Sequence, residues 1–131
     1  MGEGVHIFCR SCGYTKDVSY GMGFNSRPND PMVREDIMNG KYGYKPKKVL
    51  DENPDALFHW YMPLFHCKCG NISSKDSVVI RDREDGRLLY KPSLRCSLCH
   101  KKMWEIRDLP YYSPCPKCGH MMEFDYTILW D

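Results

Sequence analysis

Long hydrophobic runs are missing from this sequence. No stretch of the 131 residues approaches the roughly 18 apolar residues of a membrane span, so no transmembrane helix and no membrane partner are expected. The opening residues Met1-Gly2-Glu3-Gly4-Val5-His6 carry neither the basic start nor the apolar centre of a secretory signal, and a cytoplasmic location is the expectation. An excess of either charge is also lacking. Nineteen Lys and Arg stand against 17 Asp and Glu, a net +2, which argues against indiscriminate nucleic-acid binding through bulk charge. Two zinc-enzyme signatures are missing as well. There is no His-Glu-x-x-His, and the residues two after His6, His59, His66, His100 and His120 are Phe8, Tyr61, Lys68, Lys102 and Met122, so no His-x-Glu exists. No enzymatic activity and no small-molecule substrate are expected. Length alone rules out barrels and full doubly wound sheets.

What is present is a soluble composition, 42% hydrophobic and 27% charged, with eight cysteines. All eight fall in close pairs: Cys9/Cys12, Cys67/Cys69, Cys96/Cys99 and Cys115/Cys118. Two thiolates one or two residues apart converge on one metal ion, whereas disulfide scaffolds spread their cysteines through the chain. Two Zn2+ per chain are therefore expected, and they would staple lobes too small to fold on apolar burial alone.

The spacing Cys96-x2-Cys99, fifteen residues, Cys115-x2-Cys118 matches a four-cysteine zinc site. Sequential pairing follows as the leading expectation, leaving Cys9, Cys12, Cys67 and Cys69 for a second site interrupted by 54 residues. A nested pairing (first pair with last, second with third) and an interleaved one are the alternatives, since loop entropy discriminates weakly. Gly13, Gly70 and Gly119 each follow a pair, where a positive φ is often needed. Cys67-Lys68-Cys69 has a single spacer, and the adjacent His66 is a candidate to replace one thiolate.

Between these pairs, Asp30-Pro31 announces a helix with Val33 and Ile37 on one face and Gly40 as its stop. Residues 15–27 read as irregular, residues 47–52 as a further helical turn, and Asn53-Pro54 as the start of a helix over about 54–61. Ser77–Arg81 and Arg87–Lys91 flank Asp85-Gly86, a hairpin signal. Lys102–Ile106 and Phe124–Trp130 read as strands, with a turn near 108–110. Trp60, Trp104 and Trp130 are expected in cores, and His100 and His120 at the surface. The fold class is α+β, small and metal-stapled, with two zinc-ribbon-like lobes. Residues 1–76 form a lobe with a helical insertion over about 28–62, and residues 77–131 form a hairpin plus a C-terminal ribbon.

The knuckles Cys9-x2-Cys12-Gly13-Tyr14 and Cys115-Pro116-x-Cys118-Gly119 resemble those of the zinc-ribbon and rubredoxin-like superfamily. Together with Gly21–Phe24, Gly40-Lys41-Tyr42-Gly43 and Asn53-Pro54-Asp55-Ala56, they make residues 7–70 and the final knuckle similar to small uncharacterised bacterial double zinc-ribbon proteins of Firmicutes type. The resemblance implies a two-lobed zinc protein and brings no activity with it.

The expected role is a non-enzymatic interaction module, contacting nucleic acid or a protein complex, with a rubredoxin-like iron protein for electron transfer as the alternative. Candidate nucleic-acid contacts are Lys41, Tyr42, Tyr44, Lys45, Lys47 and Lys48, where lysines alternate with aromatics. Asp51, Glu52 and Asp55 follow directly, so four lysines against three carboxylates leave residues 41–55 at +1.

Overall fold

The computed structural model describes residues 2–21, 27–107, 109 and 113–130, with backbone alone for Gly2 and 127–130. In chain order the elements are β1 (Gly2–Phe8), β2 (Thr15–Gly21), α1 (Pro31–Met38), α2 (Tyr44–Glu52), β3 (Leu57–Tyr61), β4 (Leu64–His66), β5 (Ile72–Ser74), β6 (Ser77–Arg81), β7 (Leu88–Tyr90), β8 (Trp104–Ile106) and β9 (Glu123–Trp130). Among the described residues they give an α+β fold of two helices and three antiparallel sheets, ordered β2-β1-β9, β3-β6-β7 and β5-β4-β8.

In the first sheet β1 is central, paired with β2 from Phe8↔Thr15 to Gly2↔Gly21 and with β9 from Phe8↔Glu123 to Gly2↔Trp130. Residues 15–21, expected to be irregular, are thus a strand. Val18 and Tyr20 are buried while Asp17 and Ser19 are exposed, a period-two alternation that turns the apolar side chains inward. Met22–Phe24 lie outside the described residues.

The second unit packs both helices on β3-β6-β7. Asp30 caps α1 by accepting the Met32 N–H at 2.9 Å, Pro31 occupies the first turn, and Gly40 follows the helix at φ +84°. Helix α2 begins at Tyr44, three residues before the expected turn. Pro46 sits in its first turn, where no N–H is required, and is buried with Leu50. Asn53 closes this helix, its side-chain amide donating to the Val49 carbonyl at 2.9 Å. The cap-plus-proline at Asn53-Pro54 therefore ends one helix rather than starting another, and residues 57–61 form β3. The run Leu57-Phe58-His59-Trp60-Tyr61 is rich in aromatic strand formers, and pairing Phe58↔Ile80 and Trp60↔Val78 puts it against a strand buried from Ser77 to Ile80. That tertiary partner overrides the local helix signal. The hairpin expected over 77–91 is present, with Arg81↔Leu88 flanking its turn. Ile37, Leu50, Ala56, Phe58, Val78 and Ile80 form the core of this unit.

The strand pairings do not follow the expected division at residue 76. β1 joins β9, β3 joins β6 and β4 joins β8, so each sheet draws strands from both sides of that boundary. The chain closes on itself from the outside inward. Trp60 is half-buried against the second core, as expected, with its indole N–H on the Asp76 carboxylate. Trp104 differs. It lies on the edge strand β8 and is 56% exposed, because only one neighbour, β4, covers that edge. The Trp130 side chain and the turn residues 108 and 110 lie outside the described residues.

Candidate metal centre

Each cysteine pair sits at the tip of a hairpin or a bridged turn. Cys9/Cys12 joins β1 to β2 and Cys67/Cys69 joins β4 to β5, while Arg95↔Lys102 and Pro114↔Met121 bridge the chain around the other two pairs. Three of the four knuckles share two backbone bonds. The first cysteine's N–H donates to the carbonyl five residues on (Cys9 to Tyr14, Cys96 to Lys101, Cys115 to His120), at 2.8, 2.8 and 2.7 Å. Its carbonyl accepts from the N–H four residues on, at Gly13, His100 and Gly119. In the single-spacer knuckle both bonds contract by one residue: Cys67 N–H donates to Asn71, and Gly70 N–H donates to Cys67. The shorter spacer is therefore absorbed inside the turn, and both thiols still face the same way.

The sheets decide which knuckles meet. Pairing of β1 with β9 brings Cys9 and Cys12 to Cys115 and Cys118, the outer site. Pairing of β4 with β8 brings Cys67 and Cys69 to Cys96 and Cys99, the inner site. This nested arrangement replaces the expected sequential one. Nesting roughly doubles the length of both closing loops, at a cost of about 1 kcal/mol in closure entropy. The seven-residue ladder between β1 and β2, extended by β9, outweighs so small a term.

Across the outer site Cys9 Sγ lies 3.4 Å from Cys118 Sγ and Cys12 Sγ lies 3.6 Å from Cys115 Sγ. Across the inner site Cys67 Sγ is 3.3 Å from Cys99 Sγ and Cys69 Sγ is 3.7 Å from Cys96 Sγ. Within each group all four sulfurs lie within 4.8 Å of one another. A tetrahedron with Zn–S of about 2.3 Å has edges of about 3.8 Å, so both groups have the size a tetrahedral thiolate site requires. His66 is not a ligand here. Its Nε2 faces Ser113 Oγ at 3.2 Å, and all four cysteines of the inner site converge without it.

The surroundings favour thiolate at one cysteine of each site, Cys9 and Cys96, and raise Cys12, Cys67, Cys69 and Cys118. Backbone N–H groups of Cys12 and Ser11, against opposing burial, bring the Cys9 thiol down to about 7. Burial pushes Cys96 up, but the Cys99 N–H, the Asn71 amide and the Leu98 N–H outweigh it and bring that thiol to about 6. Burial pushes Cys67 in the opposite direction, to about 12. Four crowded sulfurs thus share charge unequally, and a dication is the group that stabilises all four as thiolates.

Two residues outside the knuckles hold the inner site. Asn71, 1% exposed, donates from Nδ2 to Cys96 Sγ at 3.4 Å and accepts on Oδ1 from Lys16 Nζ at 2.9 Å. Lys16 also donates to Ser73 Oγ at 2.6 Å. Because Lys16 belongs to β2, a strand of the outer-site sheet sends its ammonium toward the inner site. The two centres also touch directly, since a Cβ on Gly70 would stand 1.9 Å from the Pro114 carbonyl oxygen. Buried Ser113 donates to the Gly70 carbonyl at 3.2 Å. Nothing in the spacing of Lys16, Asn71 or Ser113 pointed to these roles. Only the strand register reveals them.

The expected basic stretch is divided by the fold. Lys41 is engaged by Asp36 and Asp76, at 3.6 and 3.9 Å, and its ammonium lies 5.4 Å from the Tyr42 ring centroid. Tyr42 is half-buried, while Tyr44, Lys45, Lys47 and Lys48 are exposed on α2. His100 and His120 are exposed, as expected. Among the described residues no helix is long and apolar enough to cross a membrane.

Comparison with protein-family models, with curated proteins and with solved structures gives no match to this chain. The likeness that the molecule itself displays is one of site geometry: two four-cysteine clusters within metal-binding distance form zinc-ribbon-like centres.

Proposed function

We propose that the protein is a non-enzymatic module that binds two zinc ions and whose surface contacts nucleic acid or a protein complex. One observation carries this reading: each cluster supplies four thiolates and is complete at four. A zinc ion with four protein ligands has no position for water or substrate, which is the arrangement of structural rather than catalytic sites. The metal then serves the fold, at about 10–16 kcal/mol of apparent binding free energy per structural zinc. What the fold presents is its surface.

Metal analysis of the protein purified without added metal tests the first half, with two zinc per chain expected from the two clusters. A red, iron-loaded protein would replace zinc with a redox reading. Salt titration against DNA and RNA tests the second half. Affinity that falls steeply with salt supports nucleic acid as the partner, and its absence at low salt favours a protein complex.

A further inference from the structure

The second unit carries a cleft that the metal sites do not explain. It lies between the first turn of α2 and strand β7, with a volume of 400 Å3. Three lysines line it, Lys45 from α2, Lys75 from the turn before β6 and Lys91 just after β7, together with Tyr42, Tyr44 and Tyr90. No carboxylate lines it. The sequence stretch 41–48 supplies one side. Lys75, Tyr90 and Lys91, 27 or more residues further along the chain, supply the other.

We propose that this cleft binds single-stranded nucleic acid, taking one base of the strand against Tyr44 and three neighbouring phosphates on Lys45, Lys75 and Lys91. The proposal deepens the interaction-module reading and rests on it. Among the described residues none of these three lysines stands in an ion pair. The nearest acid in sequence, Asp76, is already held by the Trp60 indole and Lys41. Three lysines therefore line one concavity, none neutralised by an ion pair among the described residues, so an anion there gains the attraction of all three. Tyr44 is 73% exposed beside them, an aromatic face on solvent where a base can stack. Gly43, on the same rim, caps α2 and makes no side-chain hydrogen bond to its first turn.

The shape selects the class of nucleic acid. Reading a duplex requires a helix or ribbon that projects into a groove. A concave, lysine-rimmed cleft with an aromatic wall instead suits a base that is already unstacked. This also reconciles the small net charge with nucleic-acid binding, because three local phosphate contacts need no basic protein overall.

The test uses the full, zinc-loaded chain and fluorescein-labelled oligo(dT) and oligo(U) of about ten nucleotides, read by anisotropy. Three phosphate contacts give a salt slope of about −2, so affinity should fall about 20-fold between about 50 and 200 mM salt. Lys45→Ala/Lys75→Ala/Lys91→Ala should abolish that slope, and Tyr44→Ala should weaken binding about 10-fold. Lys101→Ala/Lys102→Ala, exposed at the third knuckle and off the cleft, should change it less than about two-fold. Zinc content and circular dichroism confirm that each variant is folded, and Tyr44→Ala, at an exposed site, decides the matter if the triple variant is not. Wild-type affinity in the folded triple variant or in Tyr44→Ala would place the strand elsewhere and overturn the cleft. Competition by inorganic phosphate as strong as by unlabelled oligomer would overturn the strand in favour of a simple anion. No binding at about 50 mM salt would overturn the nucleic-acid partner while leaving the module reading intact. That reading fails separately, on the metal analysis.

Discussion

At the scale of single residues, the position that closes each knuckle separates two kinds of constraint. Gly70 combines a left-handed φ of +101° with the Pro114 carbonyl lying where a Cβ would stand. Gly70→Ala must therefore bear both a backbone penalty of about 1–2 kcal/mol and a displacement of the outer-site knuckle. We expect a total loss of about 3 kcal/mol or more in denaturant unfolding, with weakened zinc retention at both sites rather than at one. Weakening confined to the inner site would show that the contact transmits nothing. His100 occupies the corresponding place in the third knuckle at φ +63°, where Gly13 and Gly119 stand in the first and fourth. It is exposed and open to replacement. His100→Gly should raise stability by about 1 kcal/mol in the same measurement, and a loss of stability would contradict that account. The eight cysteines of the two clusters were legible in the sequence because thiolate spacing is a local property. The supports Lys16, Asn71 and Ser113 were not, because each acts through a residue far along the chain.

At the scale of elements, the second core is built without any cysteine. Phe58, 1% exposed, packs among Ile37, Leu50, Val78 and Ile80, with the Arg34 guanidinium 5.1 Å from its ring centroid. Phe58→Ala should cost about 3–5 kcal/mol by leaving a cavity between α1, α2 and the sheet. It should leave two zinc per chain, because no ligand belongs to that cluster. Loss of near-ultraviolet signal with zinc retained is the expected pair of readings. Simultaneous loss of zinc would show that the helical unit and the metal centres unfold together. Legibility at this scale followed the origin of each element's stability. Helix α1 carries its own start and stop in Asp30, Pro31 and Gly40, and the 77–91 hairpin carries its own turn in Asp85-Gly86. Both were readable because the signal is contained within the segment. Strand β3 takes its definition from β6, so Asn53-Pro54 has the local look of a beginning although Asn53 ends α2. The alternation in β2 was present locally but short, with only Val18 and Tyr20 buried along it.

At the scale of the whole molecule, the nested pairing makes the two centres unequal. The outer site joins the first and last knuckles, and two of its ligands, Cys12 and Cys118, are exposed. The inner site lies within the chain's fold, with Cys67 and Cys96 buried and Cys69 and Cys99 half-buried. It also has the Lys16 ammonium, relayed through Asn71, to offset the charge of four thiolates around a dication. A chelator can reach a sulfur of the outer site while the protein is folded, whereas the inner site must first open. Release of zinc to a chromogenic chelator should therefore run in two phases of one equivalent each, the outer site first. Replacing Cys118 by Ser should remove the fast phase and leave the slow one. Asn71→Ala should accelerate the slow phase alone, since the amide contacts only the inner ligands. Circular dichroism should persist in part through the first phase and collapse in the second, when the remaining structural zinc, about 10–16 kcal/mol of apparent binding free energy, is withdrawn. A single phase releasing both equivalents together with all structure would mean that global unfolding governs release. In that event the contact through Gly70, Pro114 and Ser113 would bind the centres into one cooperative unit.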